Sequence, residues 1–193
     1  MLTPIYCPPM INSLANKLTL SRIIAIPVIL LLLMIDHAVA AWLALILFVA
    51  AGITDLLDGY MARRDNQVSA IGKFLDPIAD KLLVASTILF LVANHQIEGL
   101  AIWPAVIILL REVAVSGLRE FLAGVQVSVP VSQLAKWKTF LQIVALSFLI
   151  VGRYAPDSIP ATAIGDLGLW VAGVLTVFTA WDYWRASEKH FRD

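Results

Sequence analysis

The stretch Asp55-Leu-Leu-Asp58-Gly59-Tyr-Met-Ala62-Arg63, followed after eight residues by Gly72-Lys-Phe-Leu-Asp76-Pro77-Ile-Ala-Asp80, places four aspartates inside a strongly apolar chain. Side chains three or four residues apart share one face of an α-helix, so Asp55 pairs with Asp58 and Asp76 with Asp80. Between the pairs, Arg64-Asp65-Asn66-Gln67-Val68-Ser69 is polar and suits a turn. Asp55 and Asp80 are centred on position 67.5, and Asp58 and Asp76 on position 67. A hairpin turning there sets Asp55 opposite Asp80 at one depth, with Asp58 opposite Asp76 one turn nearer the polar end. Carboxylates this close cannot all stay ionised without cations. An all-oxygen set with no His or Cys nearby favours Mg²⁺ or Mn²⁺ over zinc, and four carboxylates have room for two ions.

The surroundings of this stretch belong to a membrane. The chain has 193 residues, 60% hydrophobic and 15% charged, with a mean hydropathy of +0.85. Soluble domains carry about 45–50% apolar and about 25% charged residues. Formal net charge is zero, which argues against a nucleic-acid partner. The single cysteine, Cys7, excludes an internal disulfide and a multi-thiolate metal site. Residues 1–11 carry prolines and no positive charge. They read as a disordered leader rather than a cleaved signal peptide, and residues 12–193 as one membrane domain.

Apolar runs predict six helices, at about 20–36, 39–64, 73–94, 98–121, 133–153 and 162–187. Several runs are shorter than the ~20 residues needed to cross hydrocarbon, so those helices extend into charged sequence. With six spans, thirteen of the fourteen lysines and arginines fall on the side of the two termini, and only Arg153 falls opposite. The positive-inside rule makes the rich side cytoplasmic. The expectation is an all-α integral membrane protein with six transmembrane helices, both termini cytoplasmic, and a polar cavity facing the cytosol. Pro77 is expected in the first turn of its helix, where a missing N–H is tolerated.

Gly59 and Ala62 lie on or beside the carboxylate face. Small side chains there let a ligand approach the helix backbone, with Arg63 near the rim as a phosphate partner; helix–helix packing is the plainer account of Gly59 alone. Ionisable groups at membrane depth are costly and point to function. A carboxylate-based ion or proton transporter would also use them, but does not account for Gly59, Ala62 and Arg63 at fixed offsets.

The full pattern, Asp-x-x-Asp-Gly-x-x-Ala-Arg-x8-Gly-x-x-x-Asp-x-x-x-Asp from Asp55 to Asp80, resembles the signature of the CDP-alcohol phosphatidyltransferases. The wider resemblance runs from about Asn12 to Trp184. It implies a six-helix fold, usually dimeric, with a dimetal site in a cytosol-facing cavity and CMP as leaving group. Carried onto this chain, it makes Asp55, Asp58, Asp76 and Asp80 metal ligands. Asp80 is also the base that takes a proton from the acceptor hydroxyl. Gly59, Ala62, Arg63 and Gly72 frame the CDP-linked donor, with Asn16, Thr19 and Arg22 helping to hold the nucleotide.

The signature leaves the acceptor alcohol open. Further along stand Arg111-Glu112-Val-Ala-Val-Ser116-Gly117-Leu-Arg119-Glu120 and Ser132-Gln-Leu-Ala-Lys136-Trp137-Lys138-Thr139, with Gln142 after them. Arg111, Arg119, Lys136 and Lys138 are candidates to surround an acceptor phosphate. Snorkelling to the interface explains one or two of them equally well, and Glu112 and Glu120 are available to pair with neighbouring cations. These segments, with Asn16-Lys-Leu-Thr19-Leu-Ser-Arg22, resemble the phosphatidylglycerophosphate synthase branch, in which CDP-diacylglycerol and sn-glycerol 3-phosphate are the substrates. Ala135 stands where that branch often has Gly. Inositol phosphate, serine and phosphatidylglycerol are the acceptors of related branches. The implied setting is phospholipid biosynthesis at the bacterial inner membrane, by a homodimer.

Overall fold

A computed structural model describes residues 14–65, 70–124 and 133–188 of the chain, with the backbone alone described at 14–17, 55–65, 70–74, 76–77, 123, 186 and 188. Among the described residues six α-helices follow one another: α1 (Leu14–Leu33), α2 (Ala38–Asp65), α3 (Ala70–Ala93), α4 (Ile102–Gly124), α5 (Gln133–Val151) and α6 (Ala161–Glu188). Short 3₁₀ turns at Gly99–Ala101 and Gly152–Tyr154 lead into α4 and out of α5. The expected leader, residues 1–11, lies outside the described residues. By internal contacts the chain divides into two compact units, one through Ser86 and one from Thr87, and α3 passes from the first to the second.

In the first unit α1 packs on α2. Ile26, Ile29 and Leu33 form the buried stripe of α1, and Ala40, Ala44, Phe48 and Ala51 that of α2. Alanines at this spacing let two helices approach closely without a driving force from water. The opposite side of α1 exposes Leu20, Ile24, Val28 and Leu31, a surface suited to hydrocarbon rather than water. Pro27 lies within α1, which continues through it. His37 starts α2 by accepting a hydrogen bond on Nδ1 from the Val39 N–H at 3.2 Å.

Helix α3 begins at Ala70, which makes Pro77 its eighth residue. The expectation of a first-turn proline is therefore corrected: Pro77 sits in the helix interior and removes a donor there. The expected start at about residue 73 put Pro77 near the first turn, whereas the helix also takes in Ala70 to Gly72. At its other end α3 closes in a Schellman motif. The Gln96 N–H donates to the Leu91 carbonyl at 2.9 Å and the His95 N–H to Val92 at 3.1 Å, with His95 in the left-handed region at φ +55°.

In the second unit α6 lies between α5 and α4. A Cβ on Gly165 would stand 2.5 Å from Leu149 Cγ, and one on Gly168 would stand 2.8 Å from the Ala145 Cβ. Both glycines thus set the closest approach of α6 to α5, and the descending α5 numbers against ascending α6 numbers make the pair antiparallel. Gly173 meets Pro104 of α4, with its would-be Cβ 3.0 Å from the proline Cβ. Arg111 of α4 reaches Thr179 of α6, so these two helices run in the same direction. The C-terminal ends of α4 and α6 and the N-terminal end of α5 therefore share one end of the unit. Arg111, Arg119, Lys136, Lys138 and Arg185 all belong to that end. Arg153 belongs to the other, where it donates to the Asn94 carbonyl at 3.0 Å.

Among the described residues, three stretches are long and apolar enough to cross a membrane: Gly99–Leu122, Gln133–Tyr154 and Ala161–Arg185. Leu18–Leu33 and Ala38–Thr54 are shorter apolar helices. Within each long stretch well under half of the most apolar window is buried by protein, at 28%, 39% and 33%. Outward apolar surface on that scale needs lipid around it. This is an all-helical membrane protein.

Candidate active site

Helix α2 runs unbroken from Ala38 to Asp65, and α3 from Ala70 to Ala93. Asp55 and Asp58 therefore lie three residues apart on one continuous helix, and Asp76 and Asp80 four apart on another, as one-face pairing requires. Residues 66–69, where the turn was expected, lie outside the described residues, as do the side chains of Asn16, Asp55, Asp58, Gly59, Ala62, Arg63, Gly72 and Asp76. Asp80 is described and half-buried. Paired carboxylates one helical turn apart carry oxygen donors of the kind that suits a hard divalent cation.

On α1, Thr19 and Arg22 are 3% and 1% exposed and three residues apart, so they share the inward face. A fully buried arginine in an apolar helix is costly unless it is engaged.

The second unit contains a polar group built from three helices. Lys138 Nζ of α5 is ion-paired with Glu112 Oε1 of α4. Arg111 Nη1 stands 3.4 Å from the same oxygen, and Arg111 Nη2 donates to Thr179 Oγ1 of α6 at 3.1 Å. Thr179 in turn donates to the Thr176 carbonyl at 3.0 Å. The side chains of Lys138, Arg111 and Glu112 are 4%, 10% and 19% exposed. Two cations and one carboxylate leave a net positive charge, held away from bulk water, where it attracts an anion strongly.

The structure thus gathers Arg111 and Lys138 around Glu112 and leaves Arg119 and Lys136 exposed, outside this group. The pairing considered for Glu112 is formed. Thr179 was not anticipated; its only signal in the sequence is a pair of hydroxyl residues, Thr176 and Thr179, three apart inside an apolar run. At the same end, Trp137 packs edge-on against Phe140 with centroids 6.1 Å apart. The Arg185 guanidinium lies 5.1 Å from the Trp181 ring centroid. Exposed tryptophans beside cations mark a membrane interface.

The family model described as CDP-alcohol phosphatidyltransferase matches residues 12–181, which includes every residue of the groups above except Arg185. The chain belongs to the CDP-alcohol phosphatidyltransferase family. A Rickettsia bellii relative, named CDP-diacylglycerol–glycerol-3-phosphate 3-phosphatidyltransferase, is 50% identical over 180 residues, covering 93% of this chain and 98% of its own. Relatives of the same name from Bacillus subtilis and Shigella flexneri are 39% and 38% identical. They cover 89% and 94% of this chain and 93% and 98% of their own lengths. As a CDP-alcohol phosphatidyltransferase the chain comes from a family that uses divalent metal ions, the use for which its aspartate pairs are chemically suited.

Proposed function

We propose that this chain transfers the phosphatidyl group of CDP-diacylglycerol to sn-glycerol 3-phosphate, releasing phosphatidylglycerophosphate and CMP. The observation that carries the reading is likeness over nearly the whole chain to enzymes named for this reaction. The aspartate pairs on two continuous helices and the cationic group around Glu112 add chemical support.

Asp55, Asp58 and Asp76, with Asp80, would hold two Mg²⁺ or Mn²⁺ ions. Bound there, divalent ions neutralise the donor pyrophosphate and the charge that develops on departing CMP. Gly59, Ala62 and Gly72 leave room for the donor head group, and Arg63, Arg22, Thr19 and Asn16 orient it. Arg111 and Lys138 hold the acceptor phosphate, and Arg119 and Lys136 draw the dianion toward them from the exposed rim. Asp80 takes the proton of the acceptor 1-hydroxyl. That oxygen then bonds to the phosphorus nearer diacylglycerol, the bond to the CMP oxygen breaks, and CMP carries away the electron pair.

The enzyme spans the inner membrane six times as a homodimer, with both termini and the reaction on the cytoplasmic side. The test supplies CDP-diacylglycerol with radiolabelled glycerol 3-phosphate, inositol phosphate or serine, or with phosphatidylglycerol, and identifies the lipid product. Labelled phosphatidylglycerophosphate with stoichiometric CMP is expected. A product with another alcohol would move the chain to a different branch. Ion flux in sealed vesicles without CMP would make it a transporter.

A further inference from the structure

Beside the ion-paired group, three buried polar atoms have no hydrogen-bond partner among the described residues: Gln142 Nε2, Thr176 Oγ1 and Arg111 Nε. Gln142 and Thr176 are 2% and 0% exposed. Buried polar atoms are nearly always paired, so each exception calls for an explanation, and a polar ligand seated there is one.

Helix register brings the two uncharged residues to the cationic group. From the contact of Ala145 with Gly168, two turns along α5 lead to Lys138, and two turns along α6 lead to Leu175, next to Thr176. Gln142 shares a face with Lys138, one turn further from the charged end. Thr176 lies one turn from Thr179, which receives the Arg111 hydrogen bond. Arg111 and Lys138 are joined through Glu112. The unpaired amide and hydroxyl therefore lie just beneath two cations.

We propose that Gln142 and Thr176 form a hydroxyl-recognition subsite. They hydrogen-bond the 2-hydroxyl of the glycerol phosphate acceptor whose phosphate rests on Arg111 and Lys138. A ligand with an anionic end and a neighbouring hydroxyl is the chemical complement of this arrangement. The hydroxyl both donates and accepts, matching an amide N–H and a threonine oxygen. The inference rests on the acceptor reading above and adds the residues that select among small phosphorylated alcohols.

The test compares sn-glycerol 3-phosphate with 3-hydroxypropyl phosphate, which lacks only the 2-hydroxyl, using the full chain in detergent–lipid micelles. The wild type is expected to prefer glycerol 3-phosphate by about tenfold or more in kcat/KM, the effect of leaving buried partners unpaired. Gln142→Leu and Thr176→Val should each erase most of that preference by lowering kcat/KM for glycerol 3-phosphate. Activity with the analogue should stay within about twofold, and Thr176→Ser should restore the preference. Equal losses with both acceptors would mean a structural role and overturn the proposal, as would an unchanged preference. If Gln142→Leu does not fold, the near-isosteric Thr176→Val decides alone. A wild type that uses neither phosphate but accepts another alcohol overturns the acceptor reading, and this subsite with it.

Discussion

Replacing Glu112 by Gln keeps the shape of the side chain that joins Arg111 to Lys138 and removes its charge. Charge-assisted hydrogen bonds contribute about 1.5–3 kcal/mol and neutral ones about 0.5–1.5 kcal/mol. A glutamine oxygen still accepts from Lys138, whose side chain is 4% exposed, so the expected loss of stability is about 1–2 kcal/mol. In a chain of this size that corresponds to a midpoint lower by about 3–6 °C, read from tryptophan fluorescence on heating in detergent micelles. Glu112→Leu leaves two cations with no counter-charge and should cost more, about 3–5 kcal/mol. The acceptor should respond in the opposite sense. A unit charge one side chain away acts with about 1–3 kcal/mol at an effective dielectric near 20. Glu112 is 19% exposed, and water screening favours the lower end. Glu112→Gln should therefore lower the KM for glycerol 3-phosphate about fivefold, with kcat reduced, while Lys138→Ala raises KM at least tenfold. If Glu112→Gln raised the acceptor KM as Lys138→Ala does, Glu112 would not be a counter-charge to phosphate-binding cations and the reasoning would fail.

Asp80→Asn should abolish turnover yet keep CDP-diacylglycerol binding within about threefold, measured by equilibrium binding of labelled donor; full activity would remove Asp80 as the base. EDTA should stop CMP release and excess Mg²⁺ or Mn²⁺ should restore it, while persistence of CMP release under chelation would refute metal dependence. Lys136→Ala, at an exposed position, should change the acceptor KM less than about threefold, and mainly at low ionic strength, where long-range attraction operates. Gly165→Val should destabilise by about 1–3 kcal/mol through overpacking against Leu149, seen as a lower midpoint in the same thermal scan; an unchanged midpoint would contradict the close α5–α6 approach.

Much of the helix plan was legible in the sequence because apolar runs have few alternatives to helix in a bilayer, where backbone groups must bond within their own segment. The boundaries were less legible. Helix α1 begins at Leu14, six residues before the expected start, and α3 at Ala70, because Asn16, Lys17 and Gly72 are not apolar and yet join their helices. Pro77 was misplaced for that reason.

By itself, the sequence determined the aspartate spacing, the small residues between the pairs and the membrane character, since all are matters of residue type and interval. Tertiary structure alone decided which cations act together. Lys136 and Lys138 differ by two positions, about 200° around a helix, and only the rotation of α5 against α4 and α6 turns one inward and the other outward. That rotation depends on packing such as that of Gly165 and Gly168 against Leu149 and Ala145, residues distant in sequence from either lysine. The pairing of Lys138 with Glu112, across 26 residues, and of Arg111 with Thr179, across 68, has no local signal. Such contacts arise only when three helices close on a polar group that lipid cannot solvate.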